Sequence, residues 1–126
     1  MSKILIYDDN AELLECLQLC LETYDFEVKA TGDRKHFNWI LETFEPDVLL
    51  IDVNLGGEDG RVICRMLRDD EKYADLPIVL FSSSSDKLRD YQEYGADDVL
   101  EKPFEVKDIT PRLTAAIEKR KERIRN

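Results

Sequence analysis

The sequence predicts an α/β fold, a three-layer sandwich in which a five-stranded parallel sheet lies between two layers of helices. Two observations carry that expectation. Short apolar runs, 3-KILIY-7, 47-DVLLI-51, 77-PIVLF-81 and 98-DVLE-101, alternate with longer amphipathic stretches, and continuous apolar runs of this kind read as strands covered on both faces by crossover helices. A polar residue then follows each run: Asp8 and Asp9, Asp52, Ser82 and Lys102. Side chains that follow parallel strands gather along one rim of the sheet, so these five residues are expected to become neighbours.

The elements are expected in the following order. A first strand at about 3 to 7 leads to a helix over 10 to 23 with Asn10 as its N-cap, because a short amide side chain satisfies a free N–H of the first turn. A strand at 26 to 31 precedes a helix over 33 to 44 capped by Asp33, and a strand at 47 to 51 precedes a helix over 59 to 70 capped by Asp59. The strand at 77 to 81 is followed by a helix over 85 to 94, ended by Gly95 in the left-handed conformation that glycine adopts freely. After a strand at 97 to 101, Pro111 should not lie deep inside a helix, so the last helix is expected to begin with Thr110 as its cap. Its apolar stripe would be Leu113, Ala116, Ile117, Arg120 and Ile124. Five such units with right-handed crossovers suit the flavodoxin-like strand order 2-1-3-4-5. The chain then reverses direction between strands 1 and 3, with Asp8 and Asp9 on one side of the crevice and Asp52 on the other.

Composition sets the outer limits. A chain of 126 residues is expected to be one domain spanning 1–126, and at that size folding buries roughly two-thirds of the unfolded surface. With 43% apolar and 37% charged residues the chain is globular, and no stretch approaches the length of a membrane span. Met1-Ser2-Lys3 runs straight into a strand and leaves no room for a signal peptide, so the expected location is the cytoplasm. Cys16, Cys20 and Cys64 lack metal-binding spacing. Cys16 and Cys20 are expected on a buried stripe with Leu13, Leu17 and Tyr24. A net charge of −10 argues against binding to nucleic acid or an anionic membrane, which leaves proteins and a cation as partners.

Electrostatics narrows the chemistry. Two carboxylates about 4 Å apart repel by about 4 kcal/mol at an effective dielectric near 20, so three of them beside one lysine call for a cation. An all-oxygen set without His or Cys suits a hard ion such as Mg²⁺, or Mn²⁺ in its place. With that charge neutralised, Asp52 becomes the expected nucleophile toward a phosphoryl group, with Lys102 and the Ser82 hydroxyl on the phosphoryl oxygens. The product would be an aspartyl phosphate. Gly56 and Gly57, within five residues of Asp52, would let the backbone approach the bound group.

Taken in order, the acidic pair Asp8-Asp9, LLIDVNLGGEDG around Asp52, PIVLFSS with Ser82 and GADDVLEKPF with Lys102 resemble the receiver domain of two-component response regulators, in its chemotaxis-type, stand-alone form. The resemblance spans nearly the whole chain. It implies that Asp52 accepts a phosphoryl group from a sensor histidine kinase or phosphotransfer protein and that the domain signals to a downstream protein. It also implies that Asp9, Asp52 and the Asn54 backbone carbonyl ligate Mg²⁺, that Asp8 assists through water, and that the bond from Lys102 to Pro103 is cis. Output would use the face formed by the last two helices and the fifth strand. Three positions depart from the family pattern: Val99 replaces an aromatic residue at the switch position, Gly56 replaces a frequent proline, and Ser82 replaces threonine conservatively.

Other residues have plainer readings. Asp97 and Asp98 are expected as turn residues outside the site, His36 as a surface group, and Phe37, Trp39 and Phe44 as packing. The run 119-KRKERIR-125 is expected as a solvated helix end. Two rival functions remain in view. A haloacid-dehalogenase-like phosphatase also uses a strand-end Asp, a lysine and Mg²⁺, but needs an acid two residues further on, where this chain has Asn54. A phosphorylation-independent docking module of the same fold is the other, favoured by Val99 and opposed by intact Asp8, Asp9, Asp52 and Lys102. A flavin-binding protein would want glycine or hydroxyl contacts where DDNAE offers carboxylates.

Overall fold

A computed structural model describes residues 1–125. Five strands, β1 (Ser2–Tyr7), β2 (Phe26–Thr31), β3 (Val48–Asp52), β4 (Ile78–Ser82) and β5 (Asp98–Glu101), form one sheet in the order β2-β1-β3-β4-β5. All four pairings are parallel. Between and after them run α1 (Ala11–Glu22), α2 (Arg34–Phe44), α3 (Gly60–Arg68), α4 (Ser85–Leu88) and α5 (Val106–Arg125), with 3₁₀ turns at Glu71–Tyr73 and Tyr91–Tyr94. This is the expected architecture and strand order.

The apolar runs are continuous because the sheet is covered on both sides. Successive side chains point to opposite faces, and the two cores divide accordingly. Leu5, Leu49, Ile51, Ile78 and Leu80 pack with Phe37, Ile40 and Leu41 of α2 and Ile63 and Leu67 of α3. Ile4, Ile6, Leu50, Val79 and Phe81 pack with Leu17 and Leu21 of α1 and Ile109 and Leu113 of α5. The three predicted caps are present: Asn10 Oδ1 accepts from Leu13 N at 3.1 Å, Asp33 Oδ2 from His36 N at 2.9 Å and Asp59 Oδ1 from Arg61 N at 2.9 Å. No described helix is long and apolar enough to cross a membrane.

Five local expectations are corrected; one is the α5 stripe, which ends at Ile117 and leaves Ile124 64% exposed. The helix foreseen over 85 to 94 is a single turn followed, after Arg89 and Asp90, by the 3₁₀ turn that Gly95 ends in the left-handed region. Helix propagation gains one bond per residue only after a costly first turn. Here only Leu88 is buried, and Ser84 makes no side-chain cap bond. Pro111, by contrast, lies inside α5, which begins at Val106 rather than Thr110. The helix tolerates it because Ile109, Leu113, Ala116 and Ile117 form a buried stripe that already starts ahead of the proline. The carbonyl of Lys107, which loses its donor there, belongs to an exposed residue open to water.

The other two corrections concern helix faces. α1 buries Leu17 and Leu21, with Leu13 and Leu14 packed beside them. Cys16 lies one step around the helix and is exposed, Cys20 is half-buried, and Tyr24 is exposed. Cys64 is buried, as expected for a core thiol. On α2 the stripe is Phe37, Ile40, Leu41 and Phe44, which leaves Trp39 outside, 57% exposed and stacked on His36.

Candidate functional site

The strand register builds the site. β1 and β3 are neighbours with Tyr7 opposite Ile51, so the next residues, Asp8 and Asp52, meet at the same end of the sheet. β4 lies on the far side of β3, with Asp52 opposite Phe81 and Ser82 opposite Glu101. The residue after Glu101 is Lys102. Parallel strands thus bring all the predicted residues to one rim.

Carboxylate oxygens of Asp8, Asp9 and Asp52 lie within 4.8 Å of one another. Asp8 and Asp52 are buried, whereas Asp9 is exposed and opens the cluster to solvent. Lys102 Nζ donates to Asp8 Oδ2 at 2.9 Å and lies 3.4 Å from Asp52 Oδ2. Its ammonium also sits over the Phe81 ring, 4.6 Å from the centroid. The remaining lone pairs meet the backbone: Asp8 Oδ1 accepts from Asn10 N at 2.8 Å, and Asp52 Oδ1 from Asn54 N at 3.2 Å. Ser82 Oγ, fully buried, accepts from Ser84 N at 3.0 Å, and the Ser82 carbonyl accepts from Lys102 N at 2.8 Å. The Lys102–Pro103 peptide bond is cis.

This environment sets the charge of Asp52. Burial, reinforced by the neighbouring Asp8 carboxylate and only partly offset by Lys102, pushes its carboxyl up to about 6. One lysine against three carboxylates leaves negative charge uncompensated, and every donor is oxygen. Those two properties fit a hard divalent cation, with the exposed Asp9 leaving room for retained waters.

The loop after Asp52 is a closed turn. Asn54 bridges to Asp59, and Leu55 N donates to the Glu58 carbonyl at 3.1 Å. Gly56 sits at φ 70°, the left-handed region that favours glycine, and a side chain there would face Asp9 Oδ2. Gly57 has open space around it, so nothing in the packing requires glycine at that position. Val99 lies half-buried beside Leu88 and Tyr91.

Asp97 and His36 stand apart from the site. Asp97 pairs with Arg68 at 2.8 Å and accepts from Ile78 N at 2.9 Å, while His36 Nδ1 lies 3.0 Å from Thr31 Oγ1. Three features escaped the sequence reading. Gly60 packs against the Asp52 carbonyl, so closely that a Cβ would overlap the oxygen. Glu58 is held by Arg34 at 2.6 Å and lies 3.4 Å from the Tyr7 hydroxyl. Lys87 Nζ donates to Asn54 Oδ1 at 2.6 Å. A glycine directly after a capping Asp was the one visible signal for Gly60; the two long-range contacts had none.

Comparison with known proteins gives a consistent result. The family described as the response regulator receiver domain matches residues 4–114. The DNA-binding dual master transcriptional regulator RpaA of Synechocystis sp. is 32% identical over 120 residues, which is 93% of this chain and 49% of that protein. The chain therefore spans about half the length of the curated relatives it matches. Among solved structures, the N-terminal signal receiver domain of a two-component response regulator from Bacteroides fragilis is 27% identical with a TM-score of 0.82, covering 93% of this chain and 97% of that one. A CheY-like receiver domain protein from Methanospirillum hungatei JF-1 shares the fold at 18% identity, with a TM-score of 0.86 and coverage of 98% of both chains.

Proposed function

This chain belongs to the receiver-domain family of response regulators, and on that footing we propose that it is a phosphorylation-controlled switch whose Asp52 takes a phosphoryl group from a sensor histidine kinase or phosphotransfer protein. Receiver domains are signalling switches that bind Mg²⁺ at an acidic pocket, and an acidic cluster of that kind is present here. The observation that carries the reading is one ammonium shared by two buried carboxylates beside a third, exposed one.

Each residue then has a task. Asp52, ionised at neutral pH with its carboxyl near 6, attacks the phosphorus, and the phosphoryl group leaves a histidine nitrogen for the carboxylate oxygen. Lys102 neutralises phosphoryl oxygens as charge spreads over them, and the Ser82 hydroxyl donates to one of them. Asp9, Asp52 and the Asn54 carbonyl would hold Mg²⁺ or Mn²⁺, with Asp8 in support, and the ion would supply further charge neutralisation at the phosphoryl group. The same residues assist the slow hydrolysis that resets the switch. Asn54 cannot shuttle a proton, which favours a single phosphorylation event over turnover of external esters.

The domain, at a net charge of −10, would act through proteins rather than on nucleic acid or membrane, in the cytoplasm. The output surface would be the α4–β5–α5 face. The test is incubation with Mg²⁺ and acetyl phosphate, followed by intact-mass measurement. One phosphoryl adduct on the wild type, absent from Asp52→Asn and absent in EDTA, is expected. No adduct, or release of many equivalents of phosphate from an ester, overturns the reading.

A further inference from the structure

The segment beyond Ser82 is held lightly. α4 is four residues long, Leu88 is its only buried side chain, and Ser84 makes no cap bond. One side-chain hydrogen bond ties this turn to the loop after Asp52: Lys87 Nζ to Asn54 Oδ1 at 2.6 Å, spanning 33 positions. The loop end of that contact is fixed. Asn54 bridges to Asp59, Glu58 is clamped by Arg34, and Asn54 N donates back to Asp52 Oδ1 at 3.2 Å.

A cation is therefore parked on a neutral amide oxygen, one residue contact away from the Asp52 carboxylate. A lysine prefers an ionised oxygen acceptor, since an opposite charge adds Coulombic attraction that a neutral amide oxygen cannot supply. Phosphorylation would supply such an acceptor, with a charge of about −1.5 to −2, beside the residue on which Lys87 already rests. Its flexible four-carbon stem allows the exchange. We propose that Lys87 is a second, exchangeable cation of the phosphoacceptor site, resting on Asn54 and moving to the phosphoryl oxygens on Asp52, and that α4 is drawn with it.

This inference rests on Asp52 as the phosphoacceptor. It supplies the coupling that Val99, lacking an aromatic ring, does not. The coupling passes through a charge at the mouth of the site instead of through a side chain rotating beside β5. Because the loop is clamped on the Arg34 side and α4 is not, the exchange moves α4 rather than the loop.

The test compares wild type, Lys87→Gln and Lys87→Arg. Glutamine can still bond Asn54 but carries no charge, whereas arginine keeps the cation. Acetyl phosphate with Mg²⁺ and intact mass reads the adduct, and amide hydrogen exchange of residues 83–90, with and without Mg²⁺ and beryllofluoride, reads α4. Wild type and Lys87→Arg are expected to slow exchange there by at least about threefold on addition of beryllofluoride, with Lys87→Gln responding little while resting exchange stays alike in all three. An adduct lost in Lys87→Gln and regained in Lys87→Arg supports the inference equally. A full exchange response in Lys87→Gln overturns it alone, as does a response absent from both variants with the adduct intact. A wild type that takes no adduct overturns the phosphoacceptor reading and this inference with it.

Discussion

Lys102 donates from Nζ to Asp8 Oδ2 at 2.9 Å across 94 positions of sequence. The same ammonium is 3.4 Å from Asp52, so two nearly fully buried carboxylates depend on one cation. Removing one partner of a buried ionic cluster leaves the others desolvated and uncompensated. Lys102→Met is expected to lose about 3 kcal/mol of stability at pH 7 in EDTA, to recover part of it by pH 5 as Asp52 protonates, and to take up little phosphoryl group. Urea unfolding at the two pH values, paired with intact mass, checks this. Unchanged stability at pH 7 would mean that the ammonium neutralises little.

The pH dependence of the metal-free protein follows from Asp52. Its carboxyl is raised from the ordinary 3.8 to about 6, chiefly by burial and secondly by Asp8. A carboxyl that holds its proton more tightly when folded contributes stability below its unfolded value, and that contribution is lost as pH rises through 6. In EDTA, Asp52→Asn should therefore gain on the wild type between pH 4 and pH 8, by an amount of the order of 2 kcal/mol. Mg²⁺ at pH 8 should narrow the gap by stabilising the wild type. A gap independent of pH would remove Asp52 as the titrating group.

Gly60 packs against the backbone of Asp52. It opens α3 where the backbone crosses under the end of β3; its N–H donates to the Val53 carbonyl at 2.8 Å, and an added Cβ would overlap the Asp52 carbonyl oxygen. Alanine for glycine normally favours a helix, but here it would force backbone apart. Gly60→Ala is expected to cost about 3 kcal/mol and to slow phosphoryl uptake, while Gly57→Ala, in open space, changes stability by less than about 0.5 kcal/mol. Equal effects at the two glycines would contradict the packing described for Gly60.

Strand order was legible in the sequence because five βα units with right-handed crossovers suit one arrangement, and the meeting of Asp8, Asp9, Asp52, Ser82 and Lys102 because buried parallel strands bring the residues after them to one rim. Caps at Asn10, Asp33 and Asp59 were legible because they are local chemistry. What escaped was set by tertiary packing. Propensity could not show that Leu88 alone would anchor α4, or that Ile109 would hold a helical turn ahead of Pro111. The α1 stripe is rotated by one step: Leu14 packs beside Leu17 and Leu21, and Cys16, two positions on and so nearly opposite Leu14, faces solvent. The Lys87–Asn54 and Arg34–Glu58 contacts join residues that share no motif, so only the fold reveals them.

Arg68 and Asp97 give the last prediction, because they separate fold from function. Asp97 belongs to the fold: its Oδ2 accepts from Arg68 at 2.8 Å and from Ile78 N at 2.9 Å at the start of β4. Arg68 reaches three more acceptors, the carbonyls of Gly95 at 2.7 Å, Leu76 at 2.6 Å and Tyr73 at 3.1 Å, and so ties α3 to the entrances of β4 and β5. Both side chains are about 13 to 14% exposed, which leaves water little chance to replace lost bonds. Arg68→Met is expected to cost about 3 to 4 kcal/mol in urea unfolding, because Asp97 would lose its closest ionic partner and the Gly95 and Leu76 carbonyls would lose the guanidinium donor, while the Tyr73 carbonyl keeps Leu76 N. Asp97→Asn, which keeps an acceptor for both donors, should cost roughly half as much. The pair lies at the N-terminal ends of β4 and β5, remote from the rim that carries Asp52, so the folded fraction of either variant is expected to take up one phosphoryl group like the wild type. A loss of uptake without loss of stability would move Asp97 out of the scaffold and into the switch.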